Sequence, residues 1–243
     1  MRANQLTLIL AALFLCISTI SLGCLIPTND RRSSPIFSPG LSSSTTISVD
    51  PANITKQLEI GQTLSVNITV ANVHDLYVWQ AGMTFNATIL EAIDFVEGSF
   101  LAENGATLWT PGTINNTAGV INYHASVLAG NVAGVTGNGT LGTITFKVRD
   151  YGNSTLQLTE AILLDSELES IDKTLVHGFV RVKIQGDVNG DDLVDVFDVN
   201  ALGKAYGSSP GSPNWNPEAD INSDLIVDVT DLATCNGNYG KTA

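Results

Sequence analysis

Asp187–Gly207 reads DVNGDDLVDVFDVNALGKAYG, and Asp220–Gly240 reads DINSDLIVDVTDLATCNGNYG. A constant offset of 33 residues carries Asp187 onto Asp220, Asn189 onto Asn222, Asp191 onto Asp224, Asp195 onto Asp228 and Asp198 onto Asp231. The same offset carries Tyr206-Gly207 onto Tyr239-Gly240. Agreement at that many fixed positions marks one structural unit written twice.

Each copy places oxygen-bearing side chains at positions 1, 3, 5, 9 and 12 of a twelve-residue loop, while position 7 can offer only a backbone carbonyl. That is the ligand schedule of an EF-hand-type calcium loop, which surrounds a hard cation with oxygens at about 2.3–2.6 Å. The expected ligands are Asp187, Asn189, Asp191, Leu193 (carbonyl), Asp195 and Asp198 in the first loop. In the second they are Asp220, Asn222, Asp224, Ile226 (carbonyl), Asp228 and Asp231, so the chain is expected to hold two Ca2+ ions. At position 8, Val194 and Val227 are placed to pair the loops back to back. A short helix follows each loop, with apolar stripes expected at Val196, Val199, Leu202 and Tyr206, and at Val229, Leu232, Cys235 and Tyr239. Position 6 ordinarily takes Gly in a left-handed turn, but here it is Asp192 and Leu225. Asp tolerates that conformation, whereas Leu is strained by roughly 1–2 kcal/mol, which makes the second loop the weaker.

Two loop–helix units, each ending in Tyr-Gly and the second introduced by PNWNPEADIN, resemble a type I-like dockerin module over residues 186–241. The resemblance implies a small all-α domain folded around two calcium ions that plugs into cohesin domains, often in assemblies that degrade polysaccharide. It also implies that loop positions 10 and 11 help choose the partner: Val196 and Phe197, Val229 and Thr230. For Phe197 a second reading stands beside this one, packing inside the module.

A formal net charge of −13 argues against nucleic-acid or anionic-membrane partners. Of three cysteines, two fall in the apolar run Leu6–Ile26, leaving Cys235 without an intrachain disulfide partner. Residues 1–26 read either as an uncleaved membrane anchor or as a cleaved signal; Ser21-Leu22-Gly23-Cys24 departs from a lipoprotein box at Ser21. Both readings export the body to the cell surface or the medium. Residues 27–45, rich in Ser, Thr and Pro, form a spacer. Glycosylation acceptors stand at Asn53, Asn67, Asn86, Asn115, Asn138 and Asn153, none in the calcium module.

Residues 46–184 alternate as β-strands throughout. The stripes are Leu64/Val66/Ile68/Val70, Tyr77/Trp79/Ala81/Met83/Phe85, Ile121/Tyr123/Ala125, Ile144/Phe146/Val148 and Val180/Val182/Ile184. Turns are expected at Asp50-Pro51, Glu59–Gly61, Pro111-Gly112 and Gly137–Gly139. Many short strands in this length predict an antiparallel sandwich or jelly roll. The order of LEIGQTLSVNITVANVHDLYVWQAGMTFNATILEAIDF, GTLGTITFKV and GFVRVKI is similar to a cohesin domain, a jelly-roll sandwich whose fold is shared with some carbohydrate-binding modules.

Catalysis finds little footing. His74, His124 and His177 lack metal-ligand spacing, no GxSxG elbow occurs, and Glu167 and Glu169 read as a solvated strand end. Trp109, before Pro111 in an expected loop, is the best candidate to stack on a sugar. The expectation is a non-enzymatic, mainly β protein of the cellulosome-type or archaeal cell-surface kind, with cohesin or dockerin partners in trans. The alternative is a sandwich that binds polysaccharide and is docked by its C-terminal module to an enzyme complex.

Overall fold

The structure, a computed structural model, describes residues 44–243; the expected anchor and nearly all of the spacer lie outside them. Among the described residues, alternating β-branched and aromatic residues form twelve strands. The first six are β1 (Thr46–Asp50), β2 (Asn53–Gln57), β3 (Thr63–Leu76), β4 (Val78–Thr84), β5 (Leu90–Glu97) and β6 (Thr107–Thr110). The others are β7 (Thr113–Asn115), β8 (Val120–Leu128), β9 (Val135–Val148), β10 (Gly152–Leu164), β11 (Thr174–Val176) and β12 (Gly178–Lys183). One sheet runs β11-β1-β3-β9-β5; the other runs β2-β12-β10-β4-β8-β6, with β7 also paired to β8. Their inner faces enclose Ile47, Ile68, Trp79, Met83, Leu90, Phe100 and Phe146, all essentially inaccessible to water. Among the described residues no helix is long and apolar enough to cross a membrane.

The sandwich is not purely antiparallel. The chain changes sheets at Asp50-Pro51, so β1 joins one sheet and β2 the other. It does the same at His177, between β11 and β12. The opening and closing segments then lie side by side and pair in parallel, β1 with β11 and β2 with β12. Gly178 permits this seam, because a Cβ there would stand 2.7 Å from a Val49 methyl.

Two local readings of the alternation are corrected, and a third is extended. Gly137-Asn138-Gly139 is no turn but lies inside β9, where the register against β3 slips. A Cβ on Gly139 would meet the Phe100 ring at 2.2 Å, so this glycine admits an aromatic core residue. Tyr123 is exposed rather than inward, because it sits in a bulge at φ 58° that shifts the phase of β8. The stripe Tyr77–Phe85 is buried as expected, and Val78 and Gln80 between its members are buried too.

Beyond the sandwich, α1 (Val196–Ala205) and α2 (Val229–Gly237) follow the two loops. Each opens with a capping box, Asp195 with Asp198 and Asp228 with Asp231. Their core joins Val188, Val194, Leu202, Ala205, Ala219, Ile221, Val227 and Cys235 to Ile184. Ile184 therefore completes the helical core rather than the last sandwich strand, which ends at Lys183. Only the middle of each expected stripe packs inward: Val196, Tyr206, Val229 and Tyr239 are half or more exposed, since the helices are too short for their ends to reach the core. The side chains of Val194 and Val227 are both buried in this core, but their backbones hydrogen-bond elsewhere and not to each other. Gly240 N–H donates to Val194 O (2.8 Å) and Val194 N–H to Lys241 O (3.0 Å). In the other half, Gly207 N–H donates to Val227 O (2.8 Å) and Val227 N–H to Ser208 O (3.0 Å). Each loop thus clasps the segment after the opposite unit's helix, and Gly207 (φ 75°) and Gly240 (φ 83°) supply the left-handed turns that bring it back.

The open side of the sandwich is closed by aromatic packing. The His124 ring stacks on Phe95 at 4.1 Å, and Trp109 lies 5.6–5.7 Å from His124, Phe95 and Trp79. Gly112 N–H donates to His124 Nδ1, while Nε2 and the Trp79 indole N–H are buried without partners. Burial lowers the His124 pKa to about 4, a shift that nearby Asp94 only partly opposes. The neutral ring favours the folded state above the unfolded value near 6.5, and that contribution fades as pH falls toward 4. Denaturant unfolding should show stability falling by about 2–3 kcal/mol between pH 7 and 4.5, and His124→Gln should remove most of that dependence. An equal pH slope in the variant would assign the effect to carboxylates.

Candidate functional site

Both loops adopt the strained geometry that their composition implies. Asp192 (φ 68°) and Leu225 (φ 72°) are left-handed at position 6, and Gly190 (φ 80°) and Ser223 (φ 62°) at position 4. The side chains organise the turns by accepting from backbone N–H groups. Asp187 Oδ1 accepts from Gly190 (2.7 Å) and Asp191 (3.1 Å), Asn189 Oδ1 from Asp191, and Asp191 Oδ1 from Leu193. The second loop repeats this: Asp220 accepts from Asp224 and Leu225, Asn222 from Asp224, and Asp224 from Ile226. Position 12 ties loop to helix. Asp198 Oδ1 accepts from Val188 and Asn189 and its Oδ2 from Asp195 N–H; Asp231 does the same with Ile221, Asn222 and Asp228. Asp195 and Asp228 cap Phe197 and Thr230 N–H.

A hard divalent cation fits this donor set. Asp187, Asp198 and Asp231 are fully buried and Asp220 is 8 % exposed, yet among the described residues no ion pair reaches any of them. Burial pushes the Asp187 carboxyl up from its ordinary value. Backbone N–H groups satisfy the hydrogen bonds of these carboxylates but leave their charge without a counter-ion, and an unpaired buried charge costs several kcal/mol, a penalty that a calcium ion would offset. The acids do not converge as they stand: among the described residues no three His, Cys, Asp or Glu side chains form a cation cluster. Asn189, Asn222 and the position-7 carbonyls would have to complete each set.

Positions 10 and 11 lie at the two helix starts and point into solvent. Phe197 is 63 % exposed, Val229 60 % and Val196 58 %, and Thr230 is exposed as well. Phe197 therefore does not pack inside the module. The Thr230 hydroxyl is held by Asp228 Oδ1 (2.6 Å) and Asn222 Nδ2 (3.0 Å), so the second helix start is the more polar of the two.

The module is fastened to the ends of β2 and β12. Gln57 donates to Glu218 O (2.7 Å) and accepts from Gly186 N–H (2.8 Å); buried Lys183 pairs with Glu218 Oε2 (2.8 Å). Arg181 reaches Asp192 Oδ1 (2.8 Å) and Gly190 O (3.1 Å) in the first loop, and Tyr151 packs on the helical core. Reading the chain linearly missed these contacts, because Gln57 and Glu218 are 161 residues apart.

The acceptor asparagines all lie on the sandwich. Asn53, Asn86, Asn115, Asn138 and Asn153 are exposed, whereas Asn67 is half-buried with its Oδ1 taking the Thr143 hydroxyl (2.8 Å). Trp109 is in β6, not a loop, and its ring packs on Trp79 and His124. Glu167 and Glu169 are exposed in a turn whose N–H groups Asp165 Oδ1 accepts.

The chain thus joins a β-sandwich to a small module of paired loops and helices. Residues 48–182 match the cohesin domain and residues 185–236 the dockerin type I domain. The chain belongs to the cohesin family and carries a type I dockerin beside its cohesin domain. Both are non-catalytic domains, and protein–protein assembly of the cellulosome type, with cohesin or dockerin partners, is the function they define. Type I dockerins are a calcium-binding class. Similar solved structures include a non-cellulosomal cohesin from the archaeon Archaeoglobus fulgidus: 18 % identity, TM-score 0.46, over 60 % of this chain and 96 % of that one. A type I cohesin–dockerin complex from Clostridium thermocellum matches at 16 % identity and TM-score 0.47, over 58 % of this chain and 99 % of that one. A type II cohesin from Acetivibrio cellulolyticus matches at 14 % and 0.45, over 56 % and 95 %. No curated protein matches the chain.

The left-handed Leu225 makes a measurable expectation. Leu225→Gly relieves roughly 1–2 kcal/mol of strain and concedes roughly 0.5–1 kcal/mol to a freer unfolded chain. The module should gain up to about 1.5 kcal/mol in a thermal melt followed by circular dichroism. A lowered melting temperature would contradict the strain argument.

Proposed function

We propose that the chain is exported and works outside the cell as a calcium-dependent adaptor, its dockerin plug engaging cohesins of other chains while its own cohesin receives a dockerin. Two Ca2+ ions occupy the duplicated loops, held by Asp187, Asn189, Asp191, Leu193 O, Asp195 and Asp198, and by Asp220, Asn222, Asp224, Ile226 O, Asp228 and Asp231. The partner contacts the two helix starts, Val196-Phe197 and Val229-Thr230. The observation that carries this reading is the exposure of three apolar side chains at those starts, although the module is already fastened to the sandwich. At the first start two of them, Val196 and Phe197, are adjacent in sequence, an apolar pair left for a partner to cover. Engagement is in trans because Lys183, the last sandwich residue, is followed directly by Ile184 of the module core, so no free linker lets the plug turn back, and Gln57, Lys183 and Arg181 anchor the module at the strand ends.

Capture of partners on immobilised full-length chain tests the proposal. Retention of a cohesin, a dockerin protein or a second copy should require calcium and vanish in excess chelator. Phe197→Asp combined with Val229→Asp should weaken plug-mediated binding at least about 100-fold, as expected for the centre of an interface, without altering the calcium response. Chelator-resistant capture refutes the calcium requirement. Retention on insoluble polysaccharide instead of protein would favour a glycan-binding sandwich.

A further inference from the structure

The ion pair between Arg181 and the first loop joins two domains that could have been independent. Arg181 stands on β12, paired to Thr55 of β2 on one side and Asn153 of β10 on the other, so its backbone is fixed by the sandwich. One guanidinium nitrogen donates to Gly190 O (3.1 Å) and to Asp192 Oδ1 (2.8 Å). Those two residues are the left-handed positions of the loop, φ 80° and 68°, and neither belongs to the ligand set assigned to the ion. Holding both from one nitrogen fixes their separation and so pins the turn around which the ligands are arranged. The second loop has no such support. Its counterparts are Ser223 and Leu225; Leu225 offers no carboxylate, and among the described residues no Arg or Lys side chain hydrogen-bonds to either one as Arg181 does in the first loop.

We propose that Arg181 of the cohesin domain is a positioning residue for the first calcium loop, so that the sandwich sets that loop's affinity from outside the module. This rests on the calcium reading above. Two effects compete at Arg181. A guanidinium near a cation site repels the ion, but Asp192 cancels that charge at contact distance; a pinned turn removes part of the ordering cost of binding. The geometry makes the second effect the larger: the contact is direct and shared between a carbonyl and a carboxylate, while the repulsion acts through a neutralised pair.

Calorimetric calcium titration of the full chain decides the matter, with Asp220→Ala present to read the first loop alone and Asp187→Ala to read the second. Arg181→Ala should weaken the first site roughly fivefold, the scale of a partly exposed charge-assisted pair, and leave the second unchanged. Arg181→Lys keeps the charge but not the planar donor, and should behave like Arg181→Ala. Asp192→Asn, which leaves the strand untouched, should give a smaller loss in the same direction and covers the case in which Arg181 variants fold poorly. Unchanged or tighter binding at the first site in Arg181→Ala overturns the proposal, as does wild-type affinity in Arg181→Lys. A wild-type chain that takes up no calcium refutes the calcium assignment itself and this inference with it.

Discussion

Ile184 has no exposed surface, and it sits one residue after the last sandwich strand and three before the first loop carboxylate. Its side chain fills the core of the C-terminal module, together with Val188, Val194 and Cys235. The polypeptide therefore passes from one domain to the other without a free linker. A residue buried in one module is covalently continuous with the register of the other. Gln57, Lys183 and Arg181 then have fixed partners across the seam, which two domains on a flexible tether would not provide. The described residues accordingly belong to one compact unit.

Within the small module the same economy holds. Few apolar side chains are available, and most of the ordering falls to carboxylates acting on backbone N–H groups. Asp198 and Asp231 each accept three, closing the loop onto its helix and capping that helix at once. Such groups are strongly held when paired and costly when left bare. The crossed pairing of Val194 with Gly240 and Val227 with Gly207 makes each half depend on the other, so neither duplicated unit is a domain by itself. The last residues share in this: Ala243 N–H donates to Asp192 O (3.0 Å), beside the contact that Arg181 makes.

For assembly, the consequence is directional. With the module clamped at the ends of β2 and β12, the exposed helix starts are carried at a set angle to the sandwich instead of sampling the surface around it. Apolar Val196-Phe197 and mixed Val229-Thr230 are related by the internal duplication but are not chemically equivalent, so the two ends of the plug present different surfaces to a partner.

The duplicated stretch alone determined the loops, the helices after them and the left-handed residues at position 6, because each is set within a dozen neighbours by local hydrogen bonding. Alternation likewise determined the sandwich, and Leu64–Val70 and Ile144–Val148 lie in its core where their period placed them. What the sequence could not supply was anything that depends on residues far apart in the chain. Gly137–Gly139 carried every local mark of a turn, but Phe100, arriving from a different segment, needed the space and kept it in a strand. Tyr123 lost its place in the stripe to a bulge that only the partner strand could impose. The parallel pairs, the crossed loop clasps and the burial of Ile184 across the domain boundary are all non-local. Tertiary structure decided them, because a side chain's burial depends on what the rest of the fold brings against it, and no local period records that.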